Sequence, residues 1–214
     1  MQRVALIDYG SGNLRSAEKA LWEAARRTGA RAEIVTTDDP DVVANADRVV
    51  LPGVGAFTAC MDALESRPGL IDAMTQAVHE RGAPFLGVCV GMQLMATRGL
   101  EFGERAGLNW IPGKVRRLEP ADPQAKVPHM GWNTLEIDRP HPLFDDLAEG
   151  AHMYFTHSYA FSPADPLAVV AAVDHGGRFA AAVARDNMAG VQFHPEKSQA
   201  AGLALIGRFL EWKP

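Results

Sequence analysis

Apolar positions in the first half of the chain fall into two alternating patterns. Short apolar-rich runs at residues 4–7, 32–35, 49–51 and 85–88 read as buried strands. Between the first two, Leu14, Ala17, Leu21, Trp22 and Ala25 recur at helical spacing up to Gly29. Asp38-Asp39-Pro40-Asp41 opens a short helix through Ala46, and a helical region after residues 52–57 is broken at Pro68-Gly69. Met92, Leu94, Met95 and Ala96 predict a further helix ending near Gly99. Strands and helices in alternation imply a parallel sheet covered on both faces.

From about residue 108 the texture changes. Shorter strands are predicted at 113–118, 134–137, 152–161, 168–173, 179–184 and 190–193, with turn signals at Pro123, Pro140, Pro163 and Gly176-Gly177. Strands that follow one another without helices imply an antiparallel portion added to the same sheet. A last helix at 199–211 carries Ala200, Leu203, Ile206 and Leu210 on one face. No repeat, linker or low-complexity segment interrupts the pattern. The expectation is a single α/β domain over residues 1–214, with a mixed, mostly parallel central sheet, helices on both faces and an antiparallel C-terminal portion.

Composition narrows the functional classes. Hydrophobic residues make up 47% of the chain and charged residues 22%, ordinary values for a globular protein. The net charge of −5, with no Lys/Arg block longer than two, argues against nucleic acid or an acidic membrane surface as a partner. Cys60 and Cys89 are the two cysteines and form no Cys-x-x-Cys, which suits a reducing cytoplasm. The N-terminus meets Asp8 after only four apolar residues, which does not fit a signal peptide, and no stretch approaches the ~20 apolar residues of a membrane span.

Two stretches carry chemistry. Gly87-Val88-Cys89-Val90-Gly91, at a strand-to-helix turn, has the form of a nucleophile elbow with sulfur in place of a serine oxygen. Tight turns need small neighbours, and Gly87 and Gly91 supply them. A helix N-terminus aimed at the thiol would favour its thiolate. The plainer reading is a buried cysteine between packing glycines. In Val191-Gln192-Phe193-His194-Pro195-Glu196, Pro195 holds His194 extended, so His194 and Glu196, two apart, should lie side by side. Cysteine, histidine and an orienting acid make a nucleophilic triad in the order Cys89, His194, Glu196. Gly10-Ser11-Gly12 fails as a dinucleotide loop, since Arg15 stands where the third glycine belongs. His129, His152, His157 and His175 show no metal-ligand spacing and read as structural or surface residues; no metal and no cofactor is expected. Cys60 reads as a core thiol.

With these neighbours and this separation, the chain resembles the class I glutamine amidotransferases over essentially its whole length. Pro52-Gly53-Val54-Gly55 is similar to their oxyanion loop, Gly87-Val88-Cys89-Val90-Gly91-Met92-Gln93 to their elbow and His194-Pro195-Glu196 to their His/Glu segment. Five blocks are similar to one branch, the glutaminase subunits of a histidine-biosynthetic synthase. They are residues 8–14 and 52–57, Pro128-His129-Met130-Gly131-Trp132-Asn133, Phe155-Thr156-His157-Ser158-Tyr159 and His194-Pro195-Glu196-Lys197-Ser198. The resemblance implies glutamine hydrolysis through a thioester on Cys89, with ammonia passed to a barrel-shaped cyclase subunit. That partner makes imidazole glycerol phosphate and aminoimidazole carboxamide ribotide. By the same resemblance, the oxyanion donors are the N–H of Val90 and one from Gly53 or Val54, while Gly55, Gln93, Ser158 and Tyr159 hold the substrate. Asn13, Trp132, Asn133 and Lys197 are the candidates for the partner interface, with Trp132 in the core as the other reading. Another amidotransferase, a related cysteine hydrolase, or a silent regulatory module on the same scaffold are the alternatives.

Overall fold

Strand β1 (Gln2–Ile7) lies in the interior of an eight-stranded sheet and is buried from Val4 onward. A computed structural model of the protein describes residues 1–145, 147–148 and 150–214. Helix α1 (Leu14–Thr28) follows, closed by Gly29 in the left-handed region at φ 74°. It leads to β2 (Ala32–Thr37), then to α2 (Pro40–Ala44), capped by the Asp39 carboxylate on the N–H of Asp41. Strand β3 (Arg48–Gly53) precedes α3 (Phe57–Glu65) and α4 (Leu70–Thr75), which runs on into a π-helical turn at Gln76–Glu80. The break expected at Pro68-Gly69 is where α3 and α4 part. Strand β4 (Phe85–Cys89) is wholly buried and runs directly into α5 (Val90–Gln93).

Helix α5 is a single turn and does not reach Gly99. Its would-be continuation loses its hydrogen bonds to a distant segment. The carbonyls of Leu94, Met95 and Ala96 accept N–H groups from Leu108, from Trp110 and Ile111, and from Asn109 respectively, at 2.8–3.0 Å. The chain instead forms β5 (Arg98–Gly99), then β6 (Arg105–Ala106) and β7 (Gly113–Arg117).

The second half continues with β8 (His129–Thr134), β9 (Glu136–Ile137), β10 (His152–His157), β11 (Tyr159–Pro163), β12 (Val169–Asp174), β13 (Arg178–Arg185) and β14 (Met188–Val191). The main sheet has the order β2-β1-β3-β4-β14-β13-β12-β9, parallel from β2 to β14 and antiparallel beyond. The antiparallel addition is therefore as expected for β12, β13 and β9. The remaining strands depart from it: β8 and β10 pair alone, and β11, β7, β5 and β6 form a third sheet. The stretch 152–161, expected as one strand, breaks at Ser158 and feeds two different sheets. The last helix, α6 (Gln199–Glu211), has the expected bounds, but its buried face is rotated onto Gly202, Leu205, Ile206, Phe209 and Leu210, leaving Ala200 exposed.

Right-handed crossovers put α1 on one face and α2 to α4 on the other, because the chain steps from β1 to β2 in one direction and from β3 to β4 in the opposite one. The reversal between β1 and β3 opens a crevice beyond the C-terminal ends of the parallel strands, where open α/β sheets bind ligands. The turns after β1, β3, β4 and β14 all emerge there. These turns hold residues 8–13, 52–56, Cys89 and 192–196. Phe193, fully buried, packs edge-on against Phe155 at 5.7 Å and ties that last turn to β10.

Backbone packing sets the height of the elbow. A methyl group on Gly91 would overlap the Leu51 carbonyl oxygen, and one on Gly53 would come within 2.7 Å of the Gly91 nitrogen. These neighbours are main chain and cannot swing aside. Gly91→Ala is expected to lower stability by about 3 kcal/mol, at the upper end for overpacking. Urea unfolding monitored by circular dichroism measures this as a lower midpoint with an unchanged slope.

Candidate active site

Cys89 sits where β4 ends, with φ 55° and ψ −112°, a strained conformation for a residue with a side chain. The flanking glycines make room for this turn: a methyl on Gly87 would come within 2.7–2.8 Å of the Gly91 and Met92 backbone. Val90, the first residue of α5, has an N–H with no intrahelical partner.

His194 follows β14 in extended conformation and begins a 3₁₀ turn at Pro195–Lys197. Its Nδ1 lies 2.8 Å from Glu196 Oε1. The contact expected from alternation is present, but the tight turn after Pro195 makes it, folding Glu196 back under the ring. Both side chains are nearly inaccessible, at 3% and 5%. Burial opposes charge on the His194 ring; interactions with Cys89 and Glu196 outweigh it and raise the pKa from 6.5 to about 9. The His194 N–H donates to Tyr154 O at 2.9 Å. Its carbonyl accepts the Ser198 hydroxyl at 2.6 Å, and that hydroxyl in turn accepts the Tyr154 N–H at 3.0 Å. Buried Ser198 thus anchors the histidine to β10.

Cys89 and His194 line one open cavity of about 460 Å³, with Val54, Gly55, Val90, Gln93, Glu101 and His157 to Tyr159 among its walls. That volume suits a small-molecule site. Among the described residues, no group of three or more His, Cys, Asp or Glu side chains is arranged to hold a metal ion.

A sequence model of the class-I glutamine amidotransferases matches residues 5–211. The chain is 64% identical to imidazole glycerol phosphate synthase subunit HisH of Caulobacter vibrioides, covering the whole of both chains. It is 58% identical to the HisH subunit of Ruegeria pomeroyi over 98% of this chain and 99% of that one. The chain belongs to the class I glutamine amidotransferases. Solved structures agree on the fold. A glutamine amidotransferase superposes with TM-score 0.69 at 19% identity over 97% of both chains. Another, from Thermotoga maritima, gives TM-score 0.61 at 17% identity, over 91% of this chain and 76% of that one.

Against this amidotransferase framework, several expected residues sit differently from the expectation. The Val54 N–H donates to Ser11 Oγ at 3.3 Å, and the Ser11 hydroxyl also meets Val54 O at 2.9 Å. Val54 therefore does not offer its N–H to the cavity. Cys60 is a buried core thiol as expected, and its sulfur also lies 3.3 Å from both Val54 O and Ser11 Oγ, under the loop. The Tyr9 hydroxyl donates to Pro52 O at 2.8 Å. Gln93 is buried, and its amide N–H groups go to Tyr159 O and Gln192 Oε1, each at 3.0 Å.

Alternation along β8 separates the interface candidates. Met130 and Trp132 face out, 63% and 45% exposed, so Trp132 is no core residue. Asn133 turns inward, donating to the Asp174 carbonyl at 2.8 Å. Lys197 is exposed, its ammonium 5.7 Å from the Tyr154 ring, against which Trp132 packs edge-on. Asn13 is exposed beside the α1 N-terminus.

Sequence reading missed two site residues. Gln192, fully buried, directs its amide at Cys89 Sγ across 3.7 Å. Glu101 lines the cavity while accepting the Phe57 N–H at 2.8 Å. Gln192 lay in plain view beside His194; Glu101 sits in a polar loop with no local signal.

His129 and His157 are also inside, their rings 3.0 Å apart from Nδ1 to Nε2. Burial lowers both pKa values from 6.5, His129 to about 3 and His157 to about 4, reinforced by the charges of neighbouring histidines. The unfolded chain accepts protons at these rings near pH 6.5 and the folded chain does not. Stability should therefore fall as pH drops from 6.5 toward 4, and be indifferent to these rings above 6.5. Unfolding free energies at pH 7, 6 and 5 should show a steeper decline for the native chain than for His129→Asn/His157→Asn.

Proposed function

We propose that this chain is the glutaminase subunit of an imidazole glycerol phosphate synthase in histidine biosynthesis, hydrolysing glutamine to glutamate and ammonia. The observation that carries the reading is Cys89, held at positive φ, sharing one amino-acid-sized cavity with His194, whose ring is bonded to the buried Glu196 carboxylate. Cys89 sulfur attacks the side-chain amide carbon as its thiol proton passes to His194, forming the S–C bond while the C=O π bond opens to a tetrahedral oxyanion. His194 protonates the nitrogen as the C–N bond breaks, and ammonia leaves a glutamyl thioester. Water then attacks that carbon, giving its proton to His194, and glutamate departs as the thiol is restored. Glu196 orients the ring throughout. Gln192 steadies the sulfur.

The N–H of Val90 supplies one oxyanion donor. The other comes from the Gly53–Val54 peptides once the Ser11 contacts release, which makes the loop a gate. One such donor contributes about 3–4 kcal/mol of barrier lowering. Glu101 is the carboxylate available for the α-ammonium of glutamine, and the Ser158–Tyr159 backbone and Gly55 frame its amino-acid end.

The ammonia passes to a barrel-shaped cyclase seated against Trp132, Met130 and Lys197, an exposed aromatic and cationic patch near the cavity mouth. Among the described residues no helix is long and apolar enough to cross a membrane. Two free thiols suit a reducing cytoplasm.

A glutaminase assay of the chain alone, with the cyclase, and with the cyclase and its ligand tests the reading. Activity should be low alone and rise at least a hundredfold in the complete assembly, and Cys89→Ala should abolish it. Ser11→Ala, which frees the loop, should raise the activity of the chain alone several-fold. High turnover without a partner would refute the gate, and activity surviving Cys89→Ala would refute the nucleophile.

A further inference from the structure

From Asn133 on the inward face of β8, polar side chains form one directed run of hydrogen bonds into the cavity wall. Its polarity is fixed by its ends. Tyr159 O can only accept, so His157, with Nδ1 at 2.9 Å, carries its proton there. In the neutral ring His157 Nε2 must then accept, and the proton between the rings belongs to His129 Nδ1. His129 Nε2 accepts in its turn, from Asn133 Nδ2 at 3.2 Å. The Asn133 amide has its orientation set independently: Nδ2 donates to Asp174 O and Oδ1 accepts the Thr134 N–H, both at 2.8 Å. Every member is satisfied with both rings neutral.

Tyr159 O is also the end of a second run. It takes the Gln93 amide N–H, Gln93 donates as well to Gln192 Oε1, and Gln192 donates toward Cys89 Sγ. One carbonyl, in the wall beside the nucleophile, thus joins a path from Asn133, on the inward face of β8, to a path from the sulfur. The His129 ring is clamped between Phe155, stacked at 4.7 Å, and His175, stacked at 4.1 Å. A pair serving only to join β8 to β10 would not need to meet the substrate wall.

We infer that His129 and His157 are positioning residues for the glutaminase reaction: by holding the Tyr159 carbonyl they fix Tyr159, and with it the Ser158–Tyr159 backbone against which glutamine is held. The inference rests on the glutaminase reading above and adds residues to it. Burial and the opposing charges of His175 and His194 keep the rings unprotonated, as the run requires.

Side-chain length gives the test, because an Asn amide nitrogen falls where the His Nδ1 stands and a Gln amide falls where Nε2 stands. In the complex with the cyclase, His157→Asn should keep KM for glutamine within about twofold of the native chain. His157→Gln and His157→Leu should raise it about tenfold, the effect of one lost buried hydrogen bond, with kcat changed less. Nitrogen-15 NMR of the full chain reads the run without any variant: His157 should be a neutral Nδ1–H tautomer down to pH 5. Equal KM values for the Asn and Gln variants, loss confined to kcat, or a His157 ring protonated at pH 6 would overturn the inference. Activity retained by Cys89→Ala in the same assay would instead indict the glutaminase reading, which separates the two failures.

Discussion

Main-chain contact between the end of β3 and the first turn of α5 is the constraint on which the site rests. Leu51 O stands where any side chain on residue 91 would go, and the Gly91 nitrogen and Tyr9 hydroxyl close off the space beside Gly53. With both glycines in place, the two strand ends approach closely enough to force Cys89 to φ 55° and lift its sulfur to the rim of the sheet. Such strain costs about 1–3 kcal/mol and persists only where surrounding packing overdetermines it. Here the surroundings are β4, buried throughout, between parallel β3 and β14.

The same closeness couples the proposed nucleophile and the proposed oxyanion loop mechanically. The loop leaves β3 beside Cys89 and is caught from behind at Pro52 and Val54 by Tyr9, Ser11 and Cys60. Each neutral hydrogen bond is worth about 1 kcal/mol net. A few together are comparable with what one oxyanion donor contributes, so under the proposed function the loop is balanced between a held and a donating state. On the same proposal, partner contacts need supply only a few kcal/mol to tip it. A gate of this kind wastes little glutamine when no acceptor for ammonia is present.

Local pattern made the parallel half legible. Buried parallel strands are continuous apolar runs, and α1 and α6 carry apolar stripes and clear ends, so their bounds came out within a few residues. Cys89 and the His194–Glu196 pair were legible because glycines and a proline mark their turns. Features set by distant chain were not. The stop of α5 depends on N–H groups of residues 108–111 reaching back to Leu94, Met95 and Ala96. The Val54 contact depends on a serine 43 residues upstream. Asn133 faces inward only because β8 pairs with β10 in one register, which no short window encodes. The His129–His157 pair, 28 residues apart, exists for the same reason.

Active-site labelling by an electrophilic ketone analogue of glutamine, followed by peptide mapping, tests the convergence of thiol, imidazole and carboxylate most directly. Adduct should form on Cys89 alone, at a rate that falls at least a hundredfold in His194→Asn. Adduct on Cys60, or labelling of Cys89 indifferent to the loss of His194, would contradict it.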